Sequence, residues 1–140
     1  LGPTFWHMSV QLAAAHLGLP PDSARRAGDF VELVAADGTV VRRIPVREQQ
    51  ILEANWFSAW NAAGFNSHTS VADVLLAAEM LRSEKESDQA EAREYFTRFR
   101  DAIVLVGPTD PLLQDLAPSP FDAKPVPKVG LHGNLVKTIV

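Results

Sequence analysis

Cysteine is absent from the 140-residue chain. Its absence excludes disulfide bonds, thiolate catalysis and cysteine-ligated zinc. Long apolar runs are absent as well: AIVLV at 102–106 is far shorter than the ~20 residues that a membrane-spanning helix needs. The opening LGPTFWHM has neither a basic start nor a long apolar core, so no secretion signal is expected. These absences predict a cytoplasmic protein, or a component of a particle assembled there, without a membrane partner.

A strong charge of either sign is also lacking. The chain has 13 Lys and Arg against 17 Asp and Glu, a formal net charge of −4, so no bulk attraction to nucleic acid or anionic lipid is expected. What is present is enough apolar material for a core, since 46% of the residues are hydrophobic and 21% are charged. The length fits one ordinary domain.

Recognisable catalytic and metal-binding motifs are missing too. The chain has no His-Glu-x-x-His, no Gly-x-Ser-x-Gly elbow, no Walker loop and no Gly-x-Gly-x-x-Gly. On a helix, His7 and His16 would point to opposite faces, and His68 and His132 lack neighbouring ligands. The acidic residues between 79 and 94 are typical of a solvated surface. We therefore expect no catalytic residues, no cofactor and no metal, and we interpret the chain as non-enzymatic.

Two segments precede the clearest local signal. Residues 5–19, rich in Ala and Leu, predict a helix that Gly18 ends. Residues 20–28 predict a turn and a short helix, with Asp22 as its N-cap and Gly28 as its stop.

Residues 29–46 predict a β-hairpin with Asp37-Gly38 at its tip, since both residues accept positive φ. A two-residue loop places Glu32 opposite Arg43 as a pair of opposite charges. A lone hairpin is only marginally stable, so its apolar face must rest on helices. The residues of that face are Val31, Leu33, Ala35, Val40 and Ile44.

Three further helices are predicted, because apolar residues recur every three or four positions. The first covers 46–63 and ends at Gly64, the second begins at Ser70, and the third spans 88–106. These helices are expected to form the body on which the hairpin packs.

Proline is concentrated at the end of the chain, where six of the ten prolines fall in the last 34 residues. Residues 107–140 therefore predict an extended arm, because proline fits neither a helix interior nor a central strand. The arm ends in LVKTIV, 135–140, which is β-prone and an aggregation hazard when exposed. We expect this segment to add as a strand to the sheet edge of a neighbouring subunit. The residues expected to bind this partner are Leu135, Val136, Thr138, Ile139 and Val140.

A second interpretation starts from QLAAAHLGLPPDSARR, which resembles a helix-turn-helix over residues 11–27. The 30–44 hairpin would then be a wing. The alternative function is therefore DNA binding, although Ala24 and Ala27 stand where such helices usually carry larger apolar anchors. The residues expected to contact phosphates are Arg25, Arg26, Arg42 and Arg43.

The sequence as a whole predicts an α+β fold that is mainly α: an N-terminal helix, a β-hairpin, a three-helix body and an extended proline-rich C-terminal arm. Residues 1–106 are expected to form one globular domain and 107–140 the arm. The favoured function is a non-enzymatic adaptor or assembly subunit of a larger complex, such as a phage particle, docked through the arm. The expected partner is another protein or a second copy of the chain.

Overall fold

The structure is a computed structural model that describes residues 6–47, 52–62 and 67–140. The chain divides into two compact units. The first unit joins the chain up to Trp60 with Leu105–Val140, and the second is Asn61–Val104.

Helix α1 runs from Met8 to His16, within the predicted 5–19, and is confirmed. It ends in a Schellman-type bond, in which the Leu19 N–H donates to the Ala14 carbonyl at 2.9 Å. Gly18 takes φ +69°, which glycine adopts without the penalty of a Cβ atom. The predicted stop at Gly18 is confirmed as well.

A three-stranded antiparallel sheet follows, with the strands side by side in the order β1 (Ala24–Ala27), β2 (Phe30–Val34) and β3 (Val40–Pro45). Strand β1 shows that the short helix predicted within 20–28 is wrong. Gly28, at φ +61°, forms a two-residue loop with Asp29 that turns the chain back and pairs Ala27 with Phe30. Once this tight turn forms, the backbone groups of the preceding residues pair with β2 instead of with one another.

The predicted β2–β3 hairpin is confirmed away from its tip. Val31 pairs with Ile44 and Glu32 with Arg43, as expected from the alternation of apolar and polar residues. Leu33 is fully buried, with 0% of its surface exposed. The apolar face of β2 therefore lies in the interior.

The tip of the hairpin differs from the prediction. The Ala35 N–H donates to the Thr39 carbonyl at 2.9 Å, and Gly38 takes φ +87°, so three residues form the loop instead of two. A bulge shifts the pairing register on the way to the tip. Val40 consequently leaves the apolar face on which it was predicted, and it is 37% exposed.

The core of the first unit brings together α1, β2, β3 and the last helix of the chain. Its buried residues are called the core cluster: Val10, Ala13, Ala14, Val31, Leu33, Ile44, Val46 and Ile139. Two of its members on α1 are alanines, whose small side chains permit close approach to the sheet. Burial of each large side chain contributes about 1.5–3 kcal/mol.

The helix predicted over 46–63 is wrong for the described residues 52–62, none of which is helical. The predicted end at Gly64 lies outside the described residues. Backbone N–H groups in this segment donate to side chains of the C-terminal part of the chain. The pairs are Asn55 with Thr138 Oγ1 (2.9 Å), Phe57 with Asn134 Oδ1 (3.3 Å) and Trp60 with the Asp122 carboxylate (3.1 Å). These tertiary bonds override the helix propensity of the segment, because its donors are satisfied elsewhere.

The extended C-terminal arm is also wrong. A 3₁₀ turn, two short antiparallel strands and a helix follow one another: Pro111–Leu113, β4 (Leu116–Ala117), β5 (Val126–Pro127) and α4 (Val129–Ile139). The prolines lie in the turn and strand region, and none lies inside α4. Helix α4 is therefore free of the residue that would break it, and it packs against α1.

The second unit contains two helices, α2 (Val71–Met80) and α3 (Glu86–Thr97). The predicted start at Ser70 is confirmed, because the Ser70 hydroxyl accepts the Ala72 N–H at 3.1 Å. The third predicted helix, 88–106, is too long, since α3 ends at Thr97.

The described residues therefore contain four α-helices and five strands, a mixed α/β fold. The predicted class, mainly α with a three-helix body and an extended arm, is wrong. Two segments with local helix signals are not helical. Side chains of α4 bind the N–H groups of the 52–60 segment, and β1 pairs with β2.

Candidate functional site

The helix-turn-helix predicted over 11–27 is not formed. Arg25 and Arg26, expected on a recognition helix, lie in strand β1. Because alternate side chains of a strand point to opposite faces, these residues do not form a helical surface that could enter a major groove. DNA binding through residues 11–27 with the 30–44 hairpin as a wing is therefore wrong.

Two of the four predicted arginines are held by a buried carboxylate. The side chain of Glu32 is 5% exposed and lies between Arg25 and Arg43, with N–O distances of 2.9 and 2.8 Å. Hydrogen bonds from Arg25, and next from Arg43, lower the pKa of Glu32 below its ordinary value of 4.5. This cluster joins all three strands of the sheet, so its role is structural.

The five residues predicted to bind a partner strand lie in α4 or directly after it. Leu135, Val136 and Ile139 are buried inside the first unit. The carbonyl of Val140 accepts a hydrogen bond from Arg42 at 2.9 Å. A helix cannot add to a sheet edge as a strand, so strand addition by residues 135–140 is wrong.

The structure forms a cleft that the sequence analysis missed, between α2 and α3 in the second unit. This α2–α3 cleft has a volume of about 570 Å³. Its apolar lining comes from both helices: Leu76, Ala77, Met80, Ala92 and Tyr95. Ala77 and Ala92 are 4% and 1% exposed, and their small side chains form the contact between the helices. The cleft is therefore an apolar depression on a small helical hairpin.

Tyr95 lines the cleft and has a buried hydroxyl with no hydrogen-bond partner among the described residues. The ring is held edge-on by Phe96 and Phe99, at centroid distances of 5.5 and 6.0 Å. A buried hydroxyl without a partner is costly, and because this oxygen has no exposed surface, a ligand in the cleft would not reach it.

Acidic residues outnumber basic residues in the lining of the cleft. Asp73, Glu91 and Glu94 contribute three carboxylates, and none of them forms an ion pair within the described parts of the chain. The guanidinium of Arg98 lies 4.2 Å from the centroid of the Tyr95 ring, in a cation–π contact. Arg98 forms no ion pair with Glu94, four residues before it, within the described part of the chain. The cleft is therefore negatively charged around an apolar floor.

The signal that sequence analysis missed is the spacing of these residues. Asp73, Ala77 and Met80 on one helix, and Glu91, Tyr95 and Arg98 on the other, each recur at intervals of three or four. Such spacing places residues on one helix face. Glu91 was interpreted as part of a solvated surface because sequence alone does not show which helix faces meet.

In the described parts of the chain, no three His, Asp or Glu side chains are grouped so as to hold a metal ion. No helix in the described ranges has the length and apolar character needed to cross a membrane.

Comparisons with known proteins give one finding. Searches of curated proteins and of solved structures give no significant match. A family model described as the CHASE2 domain matches residues 2–140. CHASE2 domains are extracellular sensory domains typical of signalling proteins, so the predicted role as an assembly adaptor or phage component is wrong. Since the match covers nearly the whole sequence, the chain belongs to the CHASE2 domain family.

Proposed function

We propose that this chain is a sensory input domain of a signalling protein, located outside the cytoplasm and without catalytic activity of its own. Membership of the CHASE2 family carries this proposal. The absence of cysteine fits either side of the membrane, so the cytoplasmic location expected from sequence has no independent support. A reporter active only outside the cytoplasm, fused after the domain in its natural protein, tests the location.

The α2–α3 cleft is the proposed ligand site. It combines an apolar floor with an excess of carboxylates, which together suit a small organic cation with an apolar body. The ammonium group of such a ligand would lie near Glu91 or Asp73. Its apolar body would lie over Leu76 and Met80, the larger apolar residues that line the cleft.

Three probes of matched shape test this ligand class: benzylamine, benzyl alcohol and benzoate. We expect benzylamine to bind most tightly and benzoate least, because the cleft has three carboxylates and one guanidinium. Amide chemical-shift changes on titration should map to α2 and α3. Equal affinity for the three probes, or changes confined to the first unit, would contradict the assignment.

Two variants sharpen the experiment. Glu91→Gln removes a charge from the cleft and should weaken benzylamine binding about 2- to 5-fold, since exposed pairs contribute about 1 kcal/mol or less. Tyr95→Phe removes the buried hydroxyl, which has no exposed surface for a probe to contact, and should leave the three affinities unchanged. Glu84→Gln is the matched control, because Glu84 is an exposed acid of the same unit that does not line the cleft. The Glu84→Gln variant should bind benzylamine with the same affinity as the wild type.

A further inference from the structure

A pair of histidines lies outside the cleft, where α1 meets α4 in the first unit. His7 precedes α1 as its N-cap, and His132 lies in the first half of α4. Their rings are stacked, with centroids 5.5 Å apart and planes 26° from parallel. The two residues are 125 positions apart in the sequence, so only the packing of α1 on α4 joins them.

The hydrogen bond of His7 requires a neutral ring. Its Nδ1 accepts the Ser9 N–H at 3.2 Å and so caps α1. Protonation of Nδ1 removes the lone pair that accepts this bond. It also places a positive charge at the N-terminus of a helix, where the helix dipole is itself positive. Both effects disfavour the first turn of α1.

The surroundings of the pair are partly closed to water. Ser9 is fully buried, and its hydroxyl donates to the His132 carbonyl at 3.4 Å. The Nδ1 atom of His132 is buried and has no hydrogen-bond partner among the described residues. A charge on one ring repels a charge on the other, because the ring centroids are 5.5 Å apart.

Burial, and next the charge of His132, lower the pKa of His7 below 6.5. A histidine with a lowered pKa in the folded state binds fewer protons than it does in the unfolded chain. The stability that this group contributes is therefore complete above 6.5 and is lost as the pH falls toward the folded pKa. Acidification weakens the α1–α4 contact, and alkaline pH does not.

Helices α1 and α4 also carry or contact charged groups outside the His7–His132 pair. Helix α1 packs against α4 and β1, and α4 packs against α1 and β5, which has no titratable side chain. His132 is the charged group that shifts the pKa of His7. Further charged or titratable groups lie on these elements or on segments bonded to α4 and the residue after it: His16, Arg25, Arg26, Arg42, Glu53, Lys128 and Lys137.

We infer that the His7–His132 pair is a proton-sensitive latch, and that acidification releases the first turn of α1 from α4. The inference deepens the proposed sensory function, on which it rests, by naming the proton as a stimulus. Because α1 and α4 both contribute to the core cluster, release of their contact changes the packing of the first unit.

Hydrogen exchange of the complete 140-residue chain tests the latch. The protection factors of the Ser9 and Val10 amides, corrected for intrinsic rates, should fall several-fold between about pH 7.5 and about pH 5.5. His7→Asn should abolish this fall, because Asn caps a helix without titrating in that range. His16→Asn, at the other end of the same helix, is the matched control and should keep the fall.

The proposal is contradicted if the protection factors of the Ser9 and Val10 amides in the wild type stay constant over this pH range. It is also contradicted if these protection factors fall in His7→Asn as much as they do in the wild type. A second measurement does not depend on that variant. The imidazole resonances of His7 should titrate below pH 6.5 in the wild type, and His132→Asn should raise the midpoint by removing the neighbouring charge. An unchanged midpoint would exclude coupling between the rings. The probe titrations of the α2–α3 cleft are made at one pH, so their result does not depend on whether the latch responds to protons.

Discussion

Leu33 and Ser9 are the largest side chains that are completely buried, and they show two different requirements of the interior. Leu33 is in the core cluster, where burial of an apolar side chain stabilises the fold. Ser9 carries a hydroxyl that must find a partner, and it donates to the His132 carbonyl. The first requirement was visible in the sequence, because Leu33 falls on the apolar side of an alternating strand. The second depends on a carbonyl 123 residues away.

Replacing Leu33 with Asp should unfold the domain, because it places a charge without a partner in the core cluster. The cost of several kcal/mol is a large part of the ~5–15 kcal/mol that usually stabilises a domain. Thermal unfolding followed by circular dichroism measures it. Val40→Asp is the matched control, since Val40 is in the same hairpin but is 37% exposed. Wild-type stability of the Leu33 variant would contradict the burial of this face.

At the level of elements, α4 organises the chain segment 52–60. Asn134 and Thr138 are one helical turn apart and receive the N–H groups of Phe57 and Asn55, two residues apart. Trp60 lies against the same helix, and a Cβ atom added at Gly130 would lie 2.7 Å from two of its ring carbons. The glycine at 130 thus permits the close approach of an indole ring to the helix backbone.

Gly130→Ala should therefore destabilise the first unit, although alanine is intrinsically better in a helix by about 1 kcal/mol. The clash forces Trp60 or the helix to move, at a cost of about 1–3 kcal/mol. Gly133→Ala is the control, because its new Cβ would meet the nearest atom, on Leu105, at an ordinary 3.6 Å. Chemical denaturation should order the stabilities as Gly133→Ala, wild type and Gly130→Ala, from highest to lowest. The reverse order would contradict the close contact between Gly130 and the Trp60 ring.

At the level of the whole molecule, the two units differ in how much they bury. The first unit contains the core cluster, whereas Ala77 and Ala92 are the buried residues described in the second. Several apolar residues of the second unit are exposed, among them Leu75 and Leu76, at 61% and 63%. The stability of the molecule therefore depends mainly on the first unit, to which both ends of the described chain contribute.

Deleting residues 134–140 tests that dependence. An extended arm would be dispensable for folding, but the structure predicts that the first unit unfolds. The deletion removes Leu135, Val136 and Ile139, each buried and each contributing about 1.5–3 kcal/mol. Far-ultraviolet circular dichroism and the loss of a cooperative transition measure the outcome. Lys137→Ala, which changes an exposed residue of the same helix, should keep a cooperative transition.

Signals contained within a few neighbouring residues were predicted well. Gly18 ends α1, Ser70 begins α2, and the pairing of Glu32 with Arg43 follows from strand alternation. Strand β1 was missed, although a Gly-Asp pair before a β-rich run is a recognised hairpin signal. Its sequence, ARRA, has little strand propensity, and pairing with β2 decides its conformation. The cleft was missed because it depends on which faces of α2 and α3 meet.

The sequence by itself determined the end of α1 at Gly18, the start of α2 at Ser70 and the alternation of β2 and β3, because each rests on steric or hydrogen-bonding preferences of adjacent residues. Tertiary structure alone decided the conformation of two segments. LVKTIV, β-prone in isolation, is helical apart from its last residue because α4 buries Leu135, Val136 and Ile139 on one face. The 52–60 segment, helical by its spacing, is not helical because α4 side chains accept its N–H groups. In both segments, bonds and burial shared with distant residues outweigh local propensities of a fraction of a kcal/mol per residue.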